Sequence, residues 1–430
     1  MTEGNSRISK QTILLIVVAA LGYFVDIYDL ILFNVVKKES LLALGFSNPA
    51  EIKQISISLF NWQMGGMLLG GILWGILGDK KGRIKVLFGS ILLYSIANVL
   101  NAFVTDIPSY AAIRFIAGIG LAGELGAGIT LVSEVMSKEN RGYGTMIIVT
   151  FGALGAVLAA FVGGDGVYIR DVISSLTGLQ IMNWQVAYMV GGALGLMLLL
   201  LRIGTLESGM YKKMDANSEG RGQFFKLFAK KETAIKYLHC IIMGLPVWFA
   251  AGVLFAMAED FAQPSVLNIQ GKVINGHAVM YAYIGLSVGD LLSGLLSQLI
   301  RSRKKVVLLY LVLSACMLFV YLYGARECSA TFFYFICFLV GVGAGYWALF
   351  VTIAAEQFGT NIRSTVASTV PNFVRGSVIP ISASIHFFEK EVGVIGSSVI
   401  VGLICIALAI YSMMQLKDTF GKDLDYIETF

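Results

Sequence analysis

The stretch GGILWGILGDKKGRIKVL, residues 70–87, decides how the chain is read. A glycine-spaced apolar run ends in an acid, Asp79, and four cations around Gly82 separate it from a second apolar run. Small residues at helical spacing let membrane helices approach closely, and a tight basic connection is what their cytoplasmic ends carry. A weaker copy, GDLLSGLLSQLIRSRKKVVL, stands at residues 289–308 and aligns Gly75 with Gly294 and Lys85 with Lys305, at offsets of 219 and 220. A second pair repeats at the same distance. Glu134 is followed seven residues later by Arg141 in SEVMSKENRGYGT, and Glu356 seven later by Arg363 in AEQFGTNIRST, both 222 residues apart. Signatures recurring at one place in each half mean a six-helix unit used twice.

Working outward, the 430 residues are 57% hydrophobic and 14% charged with mean hydropathy +0.77, more apolar surface than one water-soluble core can hide. Twelve apolar runs of roughly 20 residues, the bilayer-spanning length, extend from about 12–36 to about 392–415, with the stretch 164–183 ambiguous. The expectation is an all-α polytopic protein of two pseudo-symmetric six-helix bundles. Residues 1–204 form the first, 205–234 a cytoplasmic linker, 235–416 the second and 417–430 a cytoplasmic tail. Within the linker, FFKLFAKK suits either an amphipathic surface helix or a solvated connector.

With the N-terminus placed inside, 23 of the 32 Lys and Arg fall on the inner side, 7 on the outer side and two, Arg114 and Arg375, inside helices. That bias puts both termini in the cytoplasm, and it accounts for the net charge of +5 without a nucleic-acid partner. Five scattered cysteines without CxxC pairing read as small buried hydrophobes, so neither a metal nor a disulfide framework is expected. No cleavable leader is visible, and the first helix is expected to direct insertion.

The segment from Gly71 to Arg83, with Gly75, Gly78, Asp79, Gly82 and Arg83 in place, resembles the cytoplasmic signature G-x-L-x-D-x-x-G-R of the major facilitator superfamily. The Glu-to-Arg segments resemble its further signatures. Within it, YFVDIYDLILFNVV, RFIAGIGLAGELGAGITLVSE and AAEQFGTNIRSTVASTVPNFVRG look like bacterial metabolite:proton symporters and organic-ion transporters. The resemblance implies a cytoplasmic gate of Gly75, Asp79, Gly82, Arg83, Glu134, Arg141, Glu356 and Arg363, in which Asp79 meets the positive end of helix 11 and Arg83 pairs with acids at helix ends such as Glu134. The second copy departs from it, with Gln298 where Asp is common. In the organic-ion group the residue twelve after the loop arginine is basic in anion carriers; here it is Arg375.

The remaining candidates are ionisable groups at membrane depth, where an unpaired charge is expensive and marks a pathway or a partner. Asp26 and Asp29 share one face of helix 1, with Arg114 as the expected counter-charge. Glu124 lies about 15 Å from the cytoplasmic end of helix 4, and Arg375 about 18 Å into helix 11, by the helical rise. Proton coupling is therefore assigned to Asp26, Asp29, Glu124 and Arg114, the alternative being structural ion pairs. Thr365, Ser368 and Asn372 make a polar stripe ending at Arg375, whose forked donors suit a carboxylate, that of a substrate or, in the resting protein, that of Glu124, Asp290 or a helix-1 aspartate. Substrate contacts are expected from Arg375, Asn372, Ser368, Tyr23, Gln63, Trp62, Trp248, Tyr346 and Asp290, though aromatics in membrane helices also simply pack.

These features point to a monomeric secondary transporter of the bacterial inner membrane, moving a small organic anion with protons by alternating access. The proton gradient takes the place of a cofactor. A proton-driven exporter, an uncoupled facilitator and a non-translocating receptor are the alternatives. HExxH, GxSxG and GxxxxGK[ST] motifs are missing, which weighs against an enzyme or an ATP-driven pump.

Overall fold

The computed structural model describes residues 10–136, 140–164, 166–178, 180–207, 223–422 and 426–428. Among them, nine helical stretches are long and apolar enough to cross a bilayer. One of these, Arg363–Gln415, breaks at Gly393 (φ 69°, ψ 176°). Its two ends meet on one face, where Gln357 Nε2 donates to the Lys417 carbonyl (2.7 Å), so it crosses twice. Pro49–Lys81 and Arg83–Asn101 complete twelve crossings.

In chain order these are α1 (Lys10–Ala43), α2 (Pro49–Lys81), α3 (Arg83–Asn101) and α4 (Ile107–Leu121 with Glu124–Val135). Next come α5 (Arg141–Gly164), α6 (Asn183–Glu207) and α7 (Lys231–Ile242 and Leu245–Phe249, ending in a π-helical turn Ala250–Phe255). The rest are α8 (Asn275–Ile300), α9 (Arg303–Phe319 with Val320–Gly324) and α10 (Ala330–Ala344 with Trp347–Glu356). Finally, α11 comprises Arg363–Gly376 and the part of Val378–Gln415 before Gly393, and α12 the part after it. The ambiguous stretch holds a short helix, Val167–Thr177, stopped by the left-handed Gly178 (φ 70°).

Local chemistry sets the ends. Asn48 caps α2 through Ala50 N–H with Pro49 at the first helical position, a start that costs no backbone donor. Only Gly82 separates α2 from α3, at φ 89°, a conformation glycine adopts without steric cost. In the expected linker, residues 208–222 lie outside the described part, and FFKLF forms a single turn (Phe224–Phe228) with Phe224 and Leu227 buried.

The halves α1–α6 and α7–α12 meet along two long seams, α2 on α11 and α5 on α8. At the first seam, a Cβ on Gly75 would stand 3.0 Å from Thr365 Cα; the absent side chain lets the backbones close. The face where α1 begins and α12 ends is here the terminal face. Midway across, α4, α7 and α10 are each interrupted, at Ala122–Gly123, Met243–Gly244 and Gly345–Tyr346. Non-helical backbone at that depth persists only where protein or a cavity covers it.

Candidate functional site

The interruptions surround Arg375, 1% exposed on α11. Its Nη1 donates to Asn372 Oδ1 (3.2 Å) and its Nη2 to Tyr23 OH (3.5 Å). Its guanidinium carbon lies 5.9 Å from the rings of both Trp248 and Trp347, within the range of cation–π attraction. Trp347 Nε1 donates to Tyr23 OH (2.9 Å), so a residue of α1 and one of α10 converge on the arginine. One turn along α1, Asp26 faces Arg375 Nη2 at 3.6 Å with both groups buried. Neither Asp26 oxygen makes a hydrogen bond, nor does Arg375 Nε. The carboxylate and the guanidinium thus form a close buried pair across the two halves with polar capacity left unused.

Other expected partners are redistributed. Arg114, expected beside Asp26 and Asp29, lies within electrostatic reach of Asp29, while it donates to Gln63 Oε1 and to Tyr188 OH (3.4 Å), with its guanidinium 4.4 Å from the Phe33 ring. Asp29 is buried and shares its surroundings with Asp26, Arg114 and Asn98. Glu124 forms a two-pronged pair with Arg202 of α6, Nη1 to Oε2 at 3.0 Å and Nη2 to Oε1. Arg202, counted among the inner-loop cations, is 3% exposed inside the bundle. Its signal in the sequence was weak: a cation near a span's end is also what the positive-inside bias supplies.

Asp290 Oδ1 accepts the Ala348 N–H (2.9 Å), holding the N-terminal end of the second α10 segment; its Oδ2 has no partner. Tyr346 is fully buried and donates to the Met243 carbonyl (3.1 Å), tying the α10 interruption to that of α7. Trp62 stands apart. It is 51% exposed and lines an open groove of about 440 Å³ with Gln54, Ile57, Ser58 and Asn61, so the cavity-lining expectation fails for it. Asn372 Nδ2 donates to the Ala122 carbonyl across the seam (2.9 Å) and to Ser368 O (2.6 Å), whereas Ser368 Oγ has no partner.

On the terminal face, Asp79 Oδ2 accepts both the Thr365 N–H (2.8 Å) and its hydroxyl (2.5 Å), a carboxylate at a helix N-terminus. Arg141 of α5 pairs with Glu356 of α10 (Nε–Oε1, 2.6 Å), and Arg303 joins the same carboxylate (3.0 Å). The two signature segments therefore interlock across the halves. Arg363 Nη2 reaches the Phe358 carbonyl (3.4 Å). The side chains of Arg83 and Glu134 lie outside the described residues.

The sequence profile described as the Major Facilitator Superfamily matches residues 19–383. A putative niacin/nicotinamide transporter of Bacillus subtilis is 28% identical over 398 residues, 91% of this chain and 92% of that protein. A niacin transporter of Acinetobacter baylyi is 26% identical over 458 residues, covering 98% of each. Among solved structures, the proton:xylose symporter XylE bound to 6-bromo-6-deoxy-D-glucose superposes with TM-score 0.70 at 16% identity, over 97% of this chain and 98% of that one.

Proposed function

This chain belongs to the Major Facilitator Superfamily and is a multi-pass membrane transporter, and on that premise we propose that it carries a small carboxylate together with a proton. The observation that carries the reading is the Asp26–Arg375 pair, buried between the halves and lacking full hydrogen bonding. Protonation of Asp26 removes the carboxylate from the guanidinium. A buried arginine without a counter-charge is costly, so a solute carboxylate takes its place, and proton and anion load together. Release of the proton returns Asp26 to Arg375 and expels the solute. Because each occupant favours different arrangements of the halves, loading shifts which face is open.

Trp248 and Trp347 flank the guanidinium with apolar faces, which suits a carboxylate on a flat ring. Niacin, named for the Acinetobacter relative and beside nicotinamide for the putative Bacillus one, has that chemistry. The excess of Lys and Arg at the ends of the spans supports a cytoplasmic terminal face in a bacterial inner membrane, with Asp79 and the Arg141–Glu356–Arg303 cluster as the cytoplasmic gate. The proposed chain is a monomer of two units, joined by the linker 205–234.

The test is uptake of labelled benzoate or nicotinate into proteoliposomes acidified outside. Arg375→Gln is expected to abolish uptake. Asp26→Asn is expected to abolish acceleration by the pH gradient while leaving exchange of labelled for unlabelled solute. Undiminished pH-driven uptake by both variants would sink the proposal.

A further inference from the structure

On the face opposite the terminal face, five charges line the seam with their signs segregated by half. Lys37 and Lys38 end α1 and Lys53 begins α2, whereas Glu259 and Asp260 belong to the short helix Ala258–Phe261 that follows α7. Lys37 Nζ donates to the Ala256 carbonyl (2.9 Å), at the point where the π-helical turn Ala250–Phe255 stops and carbonyls lose their intrahelical donors. Lys38 meets Glu259 at 3.6 Å and Lys53 meets Asp260 at 3.8 Å. The remaining Glu259 oxygen accepts the Asn275 N–H that opens α8 (3.0 Å), and Asn275 Nδ2 donates to the Asn34 carbonyl (3.1 Å). The first half also carries acids here, Glu39 next to Lys38 on α1 and Glu51 in the first turn of α2, neither of which pairs with the three lysines in the contacts above.

We propose that Lys37, Lys38 and Lys53 form a carboxylate-capture site on this face, occupied by Ala256, Glu259 and Asp260 while the face is shut and passed to the incoming solute when it opens. The inference rests on the anion reading above. Separation of the halves withdraws both acids and the carbonyl at once, because all three belong to the second half. Three cations then remain on one wall of the opening, where a concentrated positive field draws in and holds an anion. Closing over the loaded solute returns the acids to the lysines and leaves the central arginine as the anion's partner. One set of lysines thus serves as latch and as entrance.

The test compares wild type with a Lys37→Gln/Lys38→Gln/Lys53→Gln variant in proteoliposomes, using benzoate and nicotinate at low and high salt. The expected result is a KM about tenfold higher in the variant at low salt. Raising the salt should bring the wild-type KM towards the variant's. The triple Lys→Arg variant should restore the wild-type KM, which guards against a general folding defect. Wild type that moves neither carboxylate overturns both readings. Wild type that moves them, with KM and its salt response unchanged in the Gln variant, overturns the capture site alone.

Discussion

The two faces of the molecule are shut by different physics. On the terminal face, Asp79, Arg141, Arg303 and Glu356 are at most 2% exposed; Asp79 holds two charge-assisted hydrogen bonds and the Arg141–Glu356–Arg303 contacts are short charge contacts. On the opposite face, the Lys38–Glu259 and Lys53–Asp260 pairs are longer and partly solvated. Removing one member of a buried charged set strands the others, whereas solvated pairs are worth little and fade with salt. A protein closed by unlike seals is one whose solvated face opens more readily.

The sharpest way to break that contrast is Glu356→Gln. It leaves Arg141 and Arg303 buried without their shared carboxylate, a loss of about 3–5 kcal/mol for the shut arrangement. The expected outcome is a rise of two or more powers of ten in terminal-face opening, read as alkylation of a Cys at Thr145, which lies against Thr352 across the halves (3.0 Å). Unchanged alkylation would remove this cluster from the gate. Asp79→Asn keeps the shape and weakens two charge-assisted bonds, so the loss should be about 1.5–3 kcal/mol, or tens-fold in the same assay. Gly75→Ala pushes a methyl towards Thr365 Cα at 3.0 Å. The backbones must part by a few tenths of an ångström, and about 1 kcal/mol of stability for the closed seam should go, seen as a several-fold rise in the same alkylation rate.

What the sequence showed and what it hid divide along similar lines. The twelve crossings follow from run length, and the Asp79 contact to the start of α11 lies where the Gly-Asp pattern and the duplication pointed. The partner of Arg141 in the other half was hidden. Arg141 pairs with Glu356, because the arrangement of the halves brings the equivalent loops together, and the repeat distance alone does not contain that. Arg114 took Gln63, and of the acids open to Arg375 (Glu124, Asp290 and those of helix 1) helix rotation, invisible in a run of apolar letters, selected Asp26. Arg202 looked like a loop cation although it neutralises Glu124.

The smallest expected effect is the most discriminating for the solvated face. Lys38→Gln removes one pair whose lysine side chain is 66% exposed, so its worth is about 0.2–1 kcal/mol at low ionic strength, up to a fivefold change in opening. The readout is alkylation of a Cys at Val35, which packs against Gly276 of α8 on this face. In low salt the variant should be labelled up to fivefold faster than the same Cys background with Lys38 intact. Near 1 M salt, where the Debye length shrinks to about 3 Å, the difference should vanish because the intact pair is screened as thoroughly as if it were absent. The Glu356→Gln effect on the terminal face should survive the same salt, since buried charges are poorly reached by ions. Equal salt responses on the two faces would mean that burial does not separate the two seals, and the contrast between them would be lost.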